Sequence, residues 1–417
     1  MTATDVVVIG AGPAGSAAAI EFARAGRKVA LIDKAAFPRD KCCGDGLTTE
    51  ALRQLEELGL EWTDVAGWNA VSTVRIRSPR GREVRLPLPS SGQFAAVAPR
   101  RNLDDRLVRT AVAAGATLHE AETFLDIEAT NDRVVVTTDK RTLQTRYVVA
   151  ADGMWSNVRR QLGLNVDGYR GEWHAFRQYF SKVGPGAEEL VVWFDEDLLP
   201  GYAWSFPLPG RRANVGFGIK REGRLKVGDM GKLWNDLLDR PHVRAVLGPD
   251  ATPEDRHRAW PIPARVDRLD ATAHRILFVG DAAAATDPMT GEGIAQALGS
   301  GRWAAQAILQ AGAMRPQLAA ETYETMLRRA LVPDHRLARQ LAGILESPLG
   351  ARGALRVADL TPWTRRNFAR WMFEDYPRAA VLTPRRWRRG LFSGGGAYAD
   401  TAPTADLADP LLVSTSS

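Results

Sequence analysis

The sequence predicts an α/β fold: an open parallel sheet that binds a dinucleotide, an antiparallel sheet inserted into it, and a helical C-terminal region. Three observations carry that reading. A strand, a glycine-rich turn, a helix and a second strand follow one another from Asp5 to Ile32. Two later apolar runs, 147–151 and 275–279, end in Asp-Gly or Gly-Asp, and open α/β sheets hold ligands at such strand ends. Residues 71–88 and 173–219 instead alternate apolar and polar side chains, the rhythm of an antiparallel sheet covered on one face.

The first element is the apolar run Asp5-Val-Val-Val-Ile9, followed by Gly10-Ala-Gly-Pro-Ala-Gly15. Gly10 permits the tight turn, Gly12 lets backbone approach a pyrophosphate, and Gly15 lets the helix pack closely, with Ala14 between them at the helix start. The helix is predicted over 14–25 with Gly26 as its stop, and the second strand over 28–32. Asp33 ends that strand 18 residues after Gly15, where an acid hydrogen-bonds a ribose hydroxyl, and Lys34 follows it. Further strands are predicted at 133–138, 147–151 and 275–279, and helices at 49–58, 102–114, 292–310 and 318–332. Residues 1–70, 95–165 and 270–345 therefore form a discontinuous nucleotide-binding domain. Residues 71–94 and 166–269 form the inserted sheet, 346–400 a separate basic helical segment, and 401–417 a tail without fixed structure.

The chain has 417 residues, 45% of them hydrophobic and 25% charged, an ordinary globular composition. No apolar run reaches the ~18 residues of a membrane span, and Asp5 stands where a signal peptide would be basic. Cys42 and Cys43 are adjacent and cannot staple distant segments, which fits a reducing cytoplasm. Six scattered histidines give no metal-ligand spacing. Between Trp363 and Arg389, eight arginines face only Glu374 and Asp375; this local +6 equals the charge of the whole chain.

The glycine fingerprint does not separate FAD from NAD. Tyr147-Val-Val-Ala-Ala-Asp152-Gly153 and Arg275-Ile-Leu-Phe-Val-Gly280-Asp281, in this order after the fingerprint, resemble the p-hydroxybenzoate hydroxylase-type flavoproteins. The resemblance implies a Rossmann-type FAD-binding domain. It also implies that Asp281 binds the flavin ribityl chain, that Asp152-Gly153 lies near the pyrophosphate, and that Arg100 in Arg-x-x-Leu-x-x-x-Leu contacts the flavin chain. Gly291-Glu292-Gly293-Ile294 opens a long helix; starting there, it would aim N–H groups and its positive end at the flavin ring.

A narrower resemblance follows. Phe37-Pro38-Arg39-Asp40-Lys41-Cys42-Cys43-Gly44-Asp45-Gly46-Leu47-Thr48 is similar to the Pro-x-x-x-x-Cys-Gly segment of the geranylgeranyl reductase family. Gly201-Tyr202-Ala-Trp204-Ser-Phe206-Pro207, then Asn214-Val-Gly216-Phe-Gly218, is similar to that family's Tyr-x-Trp-x-Phe-Pro and Asn-Val-Gly-x-Gly elements. Within the family the likeness leans to actinobacterial menaquinone reductases, and it covers roughly residues 5–310. It implies a reductase that saturates double bonds in a prenyl chain by hydride from flavin N5, with NADPH or another donor as transient reductant. Cys43 and Gly44 then lie near the flavin and the substrate double bond. Cys43 is either a proton donor or a small residue shaping a tunnel. Tyr202, Trp204 and Phe206 share one strand face, as a tunnel lining for the chain or as sheet core. Cys42 departs from the family pattern.

Aromatics interleave the C-terminal arginines: Trp363, Phe368, Trp371, Phe373, Tyr376 and Trp387. The segment reads as a membrane-interface patch on the cytoplasmic side or as a solvated helical cap; no nucleic-acid fold accompanies it. Alternatives of the same fold are an aromatic or polyketide monooxygenase and a halogenase, which needs an early catalytic lysine. A non-catalytic flavin binder is the third class. The lipid, the donor and the oligomeric state are left open by the sequence.

Overall fold

A computed structural model of the chain describes residues 2–223, 225–386 and 393–399. Strand Val6–Ile9 sits at the centre of a parallel sheet, between Val29–Ile32 and Tyr147–Ala150. Thr117–His119 extends one side and Ile276–Phe278 the other. These central strands are buried at every position because both faces are covered. Val6 and Val8 point into a core shared with helices Pro13–Arg24, Arg100–Ala113 and Ile294–Ala311. Val7 and Ile9 point the other way, onto a small sheet of Phe124–Ala129, Val134–Thr138 and Thr142–Thr145. A Cβ on Gly301 would stand 2.0 Å from Ala14 O, so glycine there lets two helices touch backbone to backbone.

The alternating segments merge into one large inserted sheet. It joins Trp173–Ser181, Arg212–Lys220, Tyr202–Leu208 and Leu190–Trp193 to the hairpin Thr73–Arg77 and Glu83–Pro87. Its one parallel pairing is Leu190–Trp193 with Thr73–Arg77. Arg258–Ile262, a strand the sequence pattern did not disclose, pairs with Trp173–Ser181. One face packs Phe176, Phe217 and Trp193 against Trp234 and Leu237 of helix Met230–Asp239.

Three expectations are corrected. The helix predicted to stop at residue 332 runs Pro316–Leu345 straight past Pro333. Its buried stripe of Leu327, Leu331, His335, Ala338 and Ala342 continues without a break, so packing outweighs the missing N–H. The helix predicted from 292 begins at Ile294. The C-terminal segment does not stand apart: Leu355, Ala369 and Phe373 share a buried cluster with Val74, Ile76, Val84 and Leu86 of the hairpin. Arg370 and Arg378 are buried and paired with carboxylates, not solvated. Farther on, Ala397 bridges to Gln93, and Tyr398 donates to Leu60 O at 2.8 Å. Trp387, Arg388, Arg389 and the predicted tail 401–417 lie outside the described residues.

Candidate functional site

A cavity of about 880 Å³ opens between the parallel sheet and the inserted sheet. At Gly10 the chain turns with φ +98°, and a Cβ would stand 2.3 Å from Ala151 O, so only glycine fits. A Cβ on Gly15 would lie 1.8 Å from Gly10 O. Gly15 thus seats the helix on the strand, and it alone among the anticipated site residues does not border the cavity. A Cβ on Gly12 would meet nothing nearer than Arg39 Nη2 at 3.7 Å, so its open side faces the cavity.

Helix Pro13–Arg24 starts there without a side-chain cap or an acid in its first turn. Its N–H groups and positive end are left for an anion. Buried Asp33 accepts from Ala11 N at 2.8 Å and Ala35 N at 2.9 Å, while Lys34 is exposed at the rim and Ala14 is buried in the wall. Arg100 begins its helix and grips Asp104 through Nε and Nη2 at 2.7 and 2.8 Å; Arg39 joins the same carboxylate at 2.8 Å. Gly153 and Gly280 turn with φ +82° and +58°, and Asp281 accepts from Thr286 Oγ1 at 3.2 Å.

The opposite wall is aromatic. Tyr202, Trp204 and Phe206 all border the cavity, with neighbouring ring centroids 5.9 and 5.8 Å apart. A Cβ on Gly44 would meet Phe206 at 3.3 Å and Trp204 at 3.5 Å, so the Cys43–Gly44 turn lies directly on these rings. Asn214 pins the two together. It accepts from Trp204 Nε1 at 3.2 Å and donates to Cys43 O and Asp45 Oδ2, both at 2.8 Å. Tyr179 also donates to Asp45 Oδ2, at 2.6 Å. Burial pushes the Asp45 carboxyl up to about 6, against the pull of those two hydrogen bonds. Burial likewise pushes the Cys43 thiol upward, so it stays protonated, and Cys42 up to about 12. Lys41 Nζ sits 3.3 Å over the Trp260 ring, its pKa lowered by burial to about 8.

At the third side, the first N–H groups of helix Ile294–Ala311 were expected to face the ligand. They are occupied: Ile294 N and Ala295 N donate to Glu292 Oε1 at 2.9 and 3.2 Å. Gly291, Gly293 and Ile294 border the cavity with Glu292. Tyr202 OH donates to Thr290 O, tying the aromatic wall to this turn. Among the described residues, no group of three or more His, Cys, Asp or Glu could hold a metal ion.

A family model described as "FAD binding domain" matches residues 3–309. The chain belongs to that family. This FAD binding domain protein is also 34% identical over 377 residues to menaquinone reductase of Mycolicibacterium smegmatis, covering 83% of this chain and 86% of that one. It is 35% identical over 321 residues to digeranylgeranylglycerophospholipid reductase 2 of Methanopyrus kandleri, covering 74% and 77%. It therefore sits among the geranylgeranyl reductases, as an FAD-dependent oxidoreductase. In fold it is similar to a geranylgeranyl bacteriochlorophyll reductase-like protein of Thermoplasma acidophilum, with TM-score 0.76, 23% identity, and coverage of 93% and 100%.

The residues present fit FAD. The open side of Gly12 and the uncapped helix would take the pyrophosphate, and Asp33 lies where the ribose acid belongs. Asp152 Oδ1 is buried with no protein partner among the described residues, an acceptor left for a ligand hydroxyl. Sequence reasoning missed Tyr179, Trp260 and the charged groups behind Glu292, and it gave Asp45, inside the Cys-Gly segment, no role of its own. Asn214 was visible only as part of a motif, and no local signal marks the others.

Proposed function

We propose that this oxidoreductase saturates carbon–carbon double bonds in the prenyl chain of a lipid, of the menaquinone or geranylgeranyl class. The observation that carries the reading is the aromatic wall of Tyr202, Trp204 and Phe206, stacked on the Cys43–Gly44 turn and facing Gly291–Gly293 across one cavity. An apolar chain gains from such a wall by leaving water, at roughly 25 cal/mol per Å² buried. FAD, when bound and reduced by NADPH or another donor, would supply the hydride. An isolated alkene accepts hydride only if a proton reaches the neighbouring carbon. Cys43, a protonated thiol bordering the cavity, is the group placed to give it. Asn214 holds its backbone through Cys43 O, and the Asp45 backbone N–H donates to its Sγ at 3.4 Å.

The test is anaerobic: reduce the enzyme-bound flavin, add menaquinone or a geranylgeranyl lipid in detergent, and weigh the lipid. Gain of two hydrogens that survives reoxidation of the head group supports the reading. Unchanged lipid, with rapid flavin reoxidation in air, favours a monooxygenase instead.

Contact with an anionic membrane surface belongs to the same reading, through other residues than the aromatic run suggested. Phe373 and Tyr376 are buried, whereas Leu349, Val357, Leu360 and Trp363 are 62–73% exposed, beside exposed Arg356 and Arg366. Among the described residues no helix is long and apolar enough to cross a membrane. Replacing Leu349, Leu360 and Trp363 together by serine is expected to abolish sedimentation with anionic liposomes; unchanged sedimentation overturns the contact.

A further inference from the structure

Behind the Gly291–Gly293 turn lies a buried polar cluster that draws on four distant parts of the chain. Arg378 Nε donates to Asp287 Oδ2 at 3.1 Å, and its Nη2 reaches Glu374 Oε1 at 3.4 Å and Thr290 Oγ1 at 3.3 Å. Glu374 also accepts from Gln296 Nε2 at 3.0 Å and Thr48 Oγ1 at 3.1 Å. Asp287 Oδ1 accepts from Thr290 N and Thr290 Oγ1 at 2.8 and 2.9 Å. Asp334 and His335 of the long helix face the same cluster, and Cys43 and Tyr202 face it from the cavity side. Arg378 Nη1 and Gln296 Oε1 are both buried without a protein partner among the described residues, so the network keeps a spare donor and a spare acceptor.

One arginine thus stands among four carboxyls, those of Asp287, Glu292, Glu374 and Asp334. Burial pushes the Asp287 carboxyl up, but Arg378 outweighs it and holds it ionised. Glu292 is raised by burial, and further by the Asp287 charge, to about 7. Glu374 is raised by burial, then by Asp287 and Glu292, to about 8, against the pull of Arg378. Like charges crowded in a low dielectric cannot all ionise, so the pair retains protons at neutral pH. Glu292 uses Oε1 for the helix N–H groups and borders the cavity, which leaves Oε2 to carry a proton there. Once ionised, its charge also contributes to raising the Cys43 thiol, so a proton given up by Glu292 is favoured on Cys43.

Resting on the lipid-reductase reading, we propose that Glu292 and Glu374 form a shared proton store that refills Cys43, with the Cys43 thiol passing its proton to the alkene. In the step, the π bond breaks and two C–H bonds form, one from the hydride and one from the Cys43 proton. Two electrons leave the reduced cofactor with the hydride. Glu292 reprotonates the thiolate and draws its replacement proton from the cavity it borders, while Glu374, a positioning residue acting through Arg378, tunes how tightly that proton is held.

The test uses Glu292→Gln and Glu374→Gln, which keep an acceptor oxygen for the neighbouring donors. Infrared titration of the carboxyl band, with and without bound flavin, is expected to show two protons lost near neutrality besides that of Asp45 in the parent, and one besides it in each variant. In anaerobic multiple turnovers, Glu292→Gln is expected to slow saturation about a hundredfold after a first turnover at the parent rate, with flavin content unchanged. The parent is expected to keep its rate up to about pH 8 and Glu374→Gln only to about pH 7. No neutral-range carboxyl titration beyond that of Asp45, or unaltered pH profiles in both variants, overturns the proton store. A parent that saturates no prenyl lipid but shows the two-proton titration overturns the lipid reading instead.

Discussion

The two walls of the cavity are made of different material. The cofactor wall is backbone: Gly10 and Gly12, an uncapped helix end, and strand-end turns at Gly153 and Gly280. The opposite wall is side chains: three aromatic rings resting on the Cys43–Gly44 turn and pinned by Asn214, Asp45 and Tyr179. Backbone cradles fail when any atom is added. Side-chain walls fail by degrees, as rings and hydrogen bonds are removed.

The sharpest break of that contrast is Gly10→Ala. A methyl 2.3 Å from Ala151 O, at φ +98°, is expected to cost on the order of 4 kcal/mol or more and to yield flavin-free or insoluble protein. Flavin absorbance of the purified variant checks it. Trp204→Ala should come next, at about 3–5 kcal/mol for a buried tryptophan. Here flavin should be retained while prenyl saturation is lost, and a variant that loses flavin first would merge the two walls into one.

Asp45→Asn probes the pins. The carboxyl rises from its ordinary 3.8 to about 6 in the fold, so folding favours its protonated form. Its contribution to stability is whole below about pH 4 and is lost as pH rises through about 6, worth at most roughly 3 kcal/mol. Denaturant melts across that window should show the slope in the parent and a flatter curve in the variant. Tyr202→Phe is the smallest, about 1 kcal/mol for one hydrogen bond. Because Tyr202 OH binds Thr290 O, it should also move the flavin potential slightly, showing that the walls are coupled.

The difference in material explains what could be read beforehand. Gly10, Gly12, Gly15 and Asp33 were legible because a backbone cradle needs fixed residues at fixed spacing within one βαβ unit. Tyr202, Trp204 and Phe206 were legible as a face by their alternation. Glu374 and Arg378 were read as part of a basic surface, yet both lie in the cluster behind Glu292, since sequence charge does not reveal a partner 91 residues away such as Asp287. Pro333 misled for a related reason: local propensity predicted a stop that a long buried stripe overrides.

The discontinuous parallel sheet has a consequence for the protein's birth. Strand Tyr147–Ala150 pairs on one side with Val6–Ile9, already made, and on the other with Ile276–Phe278, about 125 residues later. At translation speeds of ~5–20 residues per second, that hydrophobic edge waits for roughly ten seconds on the ribosome. All of the inserted sheet except the hairpin Thr73–Arg77 and Glu83–Pro87 emerges in that interval. A nascent chain of this kind is most exposed to wrong pairing midway through its synthesis, and shielding that stretch should raise soluble yield more than any change at either end.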